Sequence, residues 1–218
     1  MKQDEIKAVF EALGSAADPE KAAQMSAYLK GQFAFLGIQK PARAVLTKDF
    51  LNHSRKEPVD WEFIEACYAK PQREFHYFAV DYLLLMKNKL LQDDIYRIES
   101  LITRNSWWDT VDMFNIPLGV MFLNYPQTGE VIRRWMTGEN LWLRRMSIIF
   151  QLHLKERTNT AFLAEAIESN SGSKEFFINK GIGWALREYS KANAEWVREF
   201  IKTHKLVPLS VREASKYI

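Results

Sequence analysis

The alternation of apolar and polar positions along this chain reads as helices throughout. No segment shows a sustained period-2 strand pattern closed by a hairpin turn. Long apolar helices are predicted to start near Glu74, Trp108, Trp142 and Ile178, at steps of 34, 34 and 36 residues. Shorter amphipathic helices fall between them, at 92–104, 128–136 and 158–169. A recurring pair of one long apolar and one short amphipathic helix is the mark of stacked helical hairpins, an α-solenoid. The expected fold is therefore all-α, a single domain over 1–218 built from stacked helical hairpins.

Glycine and proline fall at the expected boundaries. Asp18-Pro19-Glu20 reads as a helix start, with Asp as N-cap and Pro at the first helical position. Lys40-Pro41-Ala42, Glu57-Pro58-Val59 and Lys70-Pro71-Gln72 read the same way. Ser106 followed by Asp109 has capping-box spacing, which assigns Asp109 to the helix terminus and leaves Asp112 for chemistry.

The chemistry is concentrated in Trp107-Trp108-Asp109-Thr110-Val111-Asp112. Four residues apart on a helix, Trp108 and Asp112 share a face. An indole beside a carboxylate makes a poor core, but both groups attract a cation. Arg144-Arg145, then Trp184 and Arg187, fall on the later helices of the same type, and a solenoid would bring these residues to one concave surface. Trp61, Trp107, Trp135 and Trp196 are assigned to the core instead.

Charge and composition narrow the class. The net charge is only +3, but the segment 141–218 carries 13 Lys and Arg against 8 Glu, so this third holds +5 and the remainder −2. Basic surface gathered in one region suits a polyanion. The lone Cys67 excludes an internal disulfide and points to a reducing, cytoplasmic compartment. No run has the apolar length needed to span a membrane. His53, His76, His153 and His204 have no metal-ligand spacing, so no metal site is expected. There is no glycine-rich phosphate loop and no nucleophile–base arrangement, and no cofactor is expected.

The Trp–Asp motif, together with Asp18-Pro19-Glu20-Lys21, Ala27-Tyr28-Leu29-Lys30, Phe35-Leu36-Gly37-Ile38-Gln39, Arg73-Glu74-Phe75, Trp142-Leu143-Arg144-Arg145, Gly183-Trp184-Ala185-Leu186-Arg187-Glu188-Tyr189 and Pro208-Leu209-Ser210-Val211-Arg212-Glu213-Ala214, resembles the DNA alkylation repair family of HEAT-like repeat DNA glycosylases, the AlkD type. The resemblance runs over nearly the whole chain. It implies a monofunctional glycosylase that excises cationic N3- and N7-alkylated purines from duplex DNA without flipping the lesion into a pocket. By the same resemblance Asp112 would stabilise an oxocarbenium-like sugar and orient water, with Trp108 and Trp184 cradling the sugar. Arg145 would bind phosphate, Tyr28 and Arg187 would wall the site, and Arg144 would lie beside it on the DNA-binding face. The implied partner is double-stranded DNA containing alkylated purines, bound by a monomer.

Chemistry fits that implication, because a purine alkylated at N3 or N7 already carries the charge that makes it leave. One departure is visible. The segment 113–119 is a residue or two shorter than the family pattern, and Pro117 is expected to kink or end its helix. Two other classes share the main features. One is a catalytically silent repeat protein that binds DNA. The other is a protein-binding solenoid whose aromatic cage holds a methylated lysine.

Overall fold

The computed structural model describes residues 3–218. Helices account for the secondary structure, and among the described residues no strand forms beyond an isolated bridge between Ala34 and Gln72. None of the described helices is long and apolar enough to cross a membrane. The chain divides into two compact units that meet in sequence after Lys89.

The first unit contains α1 (Gln3–Ser15), α2 (Pro19–Tyr28), α3 (Lys40–Ser54), α4 (Trp61–Tyr68) and α5 (Arg73–Met86). Its core is a phenylalanine cluster. Phe63 is fully buried, with ring centroids 4.6 Å from Phe50, 5.0 Å from Phe78 and 5.0 Å from Tyr82. The pairs with Phe78 and Tyr82 are edge-on, and such pairs add about 0.5–1.5 kcal/mol each beyond their buried area. The buried Glu74 carboxylate accepts from three successive backbone N–H groups, of Leu36, Gly37 and Ile38, at 2.8–3.0 Å. That turn needs Gly37. Its φ is +91°, and a Cβ there would lie 2.0 Å from the carbonyl oxygen of Asp18.

The second unit contains α6 (Asp94–Thr103), α7 (Trp108–Val111), α8 (Asn115–Asn124), α9 (Thr128–Met136), α10 (Leu141–Ile149), α11 (Thr160–Glu168), α12 (Phe176–Ser190), α13 (Ala194–Thr203) and α14 (Pro208–Ala214). Helices begin at Trp108, Leu141 and Phe176, within two residues of the predicted starts, but α9, α10 and α11 are nine residues each, so the expected alternation of long and short helices does not appear there. Phe122, Phe150 and Phe162 meet at 5.2–5.4 Å, one ring from each of three helical segments.

Helix starts follow cap chemistry. Asp18, Asp60, Asn140, Asn159 and Asn193 each accept from a backbone N–H three residues ahead, at 2.9–3.1 Å. Each such cap contributes about 1 kcal/mol. The Asp18-Pro19 and Lys40-Pro41 starts lie where the sequence places them. The other two are later. Asp60 takes the cap and α4 begins at Trp61, three residues past Pro58, while α5 begins at Arg73, after Pro71.

Two further expectations change. Ser106 is not an N-cap: its hydroxyl donates back to the carbonyl of Ile102, and α7 starts from Trp107 in extended conformation with no side-chain cap. The long helix expected from Trp108 is also interrupted. A 3-10 turn at Asp112–Phe114 separates α7 from α8. Pro117 does not break the new helix, because it sits in the first turn of α8, where backbone N–H groups have no intrahelical acceptor. Of the four tryptophans assigned to the core, Trp135 is buried at 2% exposure, with its indole N–H on Glu99, whereas Trp61, Trp107 and Trp196 are half-buried.

Candidate active site and nucleic-acid interface

Asp112 lies where the helix changes pitch. Its backbone N–H still donates to the carbonyl of Trp108, so the two residues remain one turn apart despite the 3-10 segment. Asn115, buried behind it, donates through Nδ2 to the Asp112 carbonyl, and the Asn115 Oδ1 has no hydrogen-bond partner. The main chain of Asp112 is thus held from both sides.

Its side chain is held by Arg145. The Asn140 cap fixes the start of α10, which carries Arg145 one turn in. The guanidinium donates from Nε to Oδ1 and from Nη2 to Oδ2 of Asp112, both at 2.7 Å. Nη1 donates to the carbonyl of Phe177 at the start of α12. This is a two-pronged pair in which each carboxylate oxygen has its own donor. The Arg145 side chain is 5% exposed and that of Asp112 is 15%. Asp112 therefore keeps an opening to solvent while its partner is enclosed. Trp107 and Trp142 pack against Phe177 at 5.5 and 5.0 Å, an aromatic wall beside the pair.

This placement changes the role open to Arg145. The expectation was a guanidinium presented to phosphate. The structure buries it, with one donor to each carboxylate oxygen and one to a main-chain carbonyl. Arg144 is the more exposed of the two, and its Nε donates to the buried Asn170 at 2.9 Å. Asn170 is in turn fixed by the carbonyls of Met136 and Ala166.

Trp108 is half-buried at the start of α7. Trp184 is half-buried near the middle of α12. Arg187 follows one turn later and donates from Nη1 to Glu213 of α14 at 3.2 Å. The second unit thus holds Trp108, Asp112, Arg144, Arg145, Trp184 and Arg187. Tyr28 belongs to the first unit, where it ends α2 and is 74% exposed. Asn115, Phe177 and Glu213 were not singled out in the sequence. The signal that could have found Phe177 and Glu213 is spacing: Phe177 and Glu213 stand about one repeat beyond Arg145 and Lys180.

Among the described residues no group of three or more His, Cys, Asp or Glu could hold a metal ion. The buried Cys67 thiol is pushed well above its ordinary pKa by desolvation, so it is neither thiolate nor ligand in this state.

The family model for the DNA alkylation repair enzymes matches residues 9–218. The chain belongs to that family. Its members are DNA repair proteins, and DNA is the partner that the family supports. Among solved structures, the chain is similar to one described as a predicted DNA alkylation repair enzyme from Enterococcus faecalis. The two are 39% identical, the match covers 93% of this chain and 96% of the other, and the TM-score is 0.86. That likeness assigns this DNA alkylation repair family member to the same helical solenoid type. No curated protein matches.

Proposed function

We propose that this chain is a monofunctional DNA glycosylase that hydrolyses the N-glycosidic bond of cationic N3- and N7-alkylated purines in duplex DNA, without base flipping, and leaves an abasic site. The observation that carries this reading is the Asp112 carboxylate. It is paired with a buried guanidinium, fixed in two directions by 2.7 Å bonds, and still open to solvent.

Hydrolysis of a cationic purine nucleotide needs little else. The leaving base is already charged and departs neutral, so no general acid is required. As the bond breaks, positive charge moves to C1′ and the ring oxygen of the sugar. A carboxylate that does not have to reorganise stabilises that charge in the transition state more than in the ground state. The same oxygens can orient a water for attack on C1′, where the water oxygen forms the new bond and its proton passes to solvent. Trp108 and Trp184 would face the sugar with their ring faces, which also favour positive charge, by about 1–2 kcal/mol each when desolvated. In this reading Arg145 is a positioning residue rather than a phosphate contact. Arg187, Arg144 and Tyr28 would meet the DNA backbone.

A second reading rests on the same pair. Because both carboxylate oxygens accept from Arg145, Asp112 could serve the fold alone, in a family member that binds DNA without excising bases. Release of methylated bases from alkylated duplex DNA separates the two. Wild type should release 3-methyladenine or 7-methylguanine, and Asp112→Asn should lose about 10²-fold or more. Undiminished release by a folded Asp112→Asn would leave only a structural role for Asp112.

A further inference from the structure

The cations around Glu213 are more than the fold requires. One carboxylate, with an 8% exposed side chain, receives Lys180 at 3.1 Å on Oε1, and Arg187 at 3.2 Å and Lys216 at 2.7 Å on Oε2. The Nε of Arg212 lies a further 4.0 Å from Oε1. A buried carboxylate needs one good cation to be neutralised. This one has four, and with Glu188, 4.0 Å from Arg187, counted too, the cluster carries a net +2.

The close approach of two helices builds it. Gly183 lies on α12 between Lys180 and Arg187, and a Cβ there would sit 2.5 Å from the Glu213 Cβ and 2.9 Å from the Ser210 carbonyl oxygen. The buried Ser210 hydroxyl donates to the carbonyl of Asn179, which ties α14 down at the same level. With α14 this close, one carboxylate spans two turns of α12. Lys180, Gly183, Trp184 and Arg187 follow the i, i+3, i+4, i+7 spacing of a single helix face. The two cations that Glu213 holds on α12 therefore bracket Trp184, one turn before it and one turn after it. Arg212 exposes most of its side chain to solvent, and Lys216 and Lys180 are partly exposed. The cluster is set but not closed.

We propose that Lys180, Arg187 and Lys216 form a phosphodiester grip, organised by Glu213, that holds the DNA backbone at the nucleotide facing Trp184. The ligand is a backbone phosphate of duplex DNA, so the grip rests on the DNA-binding reading above. Glu213 is its positioning residue. Hydrogen bonds from Lys216 and then Lys180 lower its carboxyl to about 2, so near neutral pH it stays ionised and keeps the three cations together. Excess charge and bracketing of the proposed sugar-facing tryptophan give the cluster a place in the site rather than a general surface role.

Affinity for an undamaged fluorescent duplex, measured by anisotropy over a salt series, tests this. Each phosphate contact contributes about 0.9 to the slope of log affinity against log salt. Lys180→Gln and Lys216→Gln should each lower the slope, and the double variant by about that amount, one phosphate equivalent. Lys202→Gln on α13, the same change at a 77% exposed side chain, should leave the slope as it is. Glu213→Gln gives a test of sign. It adds one positive charge, so a carboxylate that merely cancelled charge would tighten binding when removed. A positioning carboxylate should weaken binding severalfold, because the released cations splay apart. Melting curves check that each variant is folded, and Glu213→Asp, which keeps the charge, should recover part of the loss. If wild type binds duplex DNA but the two lysine variants keep its slope, the grip is overturned and the DNA reading stands. Tighter or unchanged binding by folded Glu213→Gln overturns the positioning role. If wild type shows no salt-dependent binding at all, the DNA reading itself fails and the grip with it.

Discussion

The Asp112–Arg145 pair can be separated into its contributions to folding and to chemistry by a double-replacement cycle. Arg145→Met leaves the carboxylate without its partner, and Asp112→Asn leaves a 5% exposed guanidinium without a counter-charge. At a charge separation of about 4 Å and an effective dielectric of about 20, the lost attraction is about 4 kcal/mol. Breaking one side of an enclosed pair costs about 3–5 kcal/mol, mostly through the charge left behind. For a protein of this size 1 kcal/mol lowers Tm by about 3 °C, so each single variant should melt about 10–15 °C below wild type. The double variant Asp112→Asn with Arg145→Met has no stranded charge. It should return to within about 2 kcal/mol of wild type, which makes the measured coupling at least several kcal/mol. Excision of methylated bases, assayed at a temperature where all four proteins are folded, should behave differently. The double variant should be as inactive as Asp112→Asn alone, because stability is restored and the fixed negative charge is not. A double variant no more stable than the sum of the singles would show that the pair is not coupled. A stable double variant that still excises would remove Asp112 from catalysis.

The lesion range should follow charge rather than shape: a cationic N7-alkylguanine with a bulky substituent should be released, and neutral uracil, hypoxanthine or 8-oxoguanine should not, as matched oligonucleotides would show. Efficient release of a neutral base would point to a general acid and an enclosed pocket. Glu213 should make stability depend on pH in the acid range. Its carboxyl is lowered from 4.5 to about 2 on folding, so its contribution is complete above about pH 4.5 and fades as pH falls towards 2. The gap in Tm between wild type and Glu213→Gln should narrow over that window, and parallel curves would contradict the assignment. Cys67, buried and held as the thiol, should react with an aromatic disulfide reagent only as fast as the protein unfolds. Gly37→Ala should be strongly destabilising in thermal melts, because an alanine at φ +91° would also place its Cβ against the Asp18 carbonyl.

The succession of helices was legible because periodicity is a property of each segment, and 128–136 was found with its observed ends. Boundaries were less so. Pro58 and Pro71 stand before their helices rather than in them, since Asp60 offers a carboxylate cap further on and Gln72 begins α5 without one. The break at Asp112–Phe114 was signalled only obliquely, by Pro117 and by the shortness of the segment. Asp112 and Trp108 were correctly placed one turn apart. The burial of Arg145 was not legible from its own neighbourhood. Two adjacent arginines on an amphipathic helix look alike, and which one points inward depends on a carboxylate 33 residues earlier. That spacing is close to the repeat length, and so are those of other polar links: Trp135 to Glu99, Asn170 to Met136, and Arg133 to Glu165.

Those links give the second unit a direction of dependence. Asp112 is held by Arg145, Arg145 by the Phe177 carbonyl, and the start of α12 by Ser210 through Asn179. Each tie reaches about one repeat towards the C-terminus, and each repeat leans mainly on its neighbour. Loosening of α14 should therefore reach the carboxylate in three steps. Amide hydrogen exchange would record it as protection lost first in α14, then α12, then α10. The final seven-residue helix, distant in sequence from Asp112, would then act as a latch on the rigidity of that carboxylate.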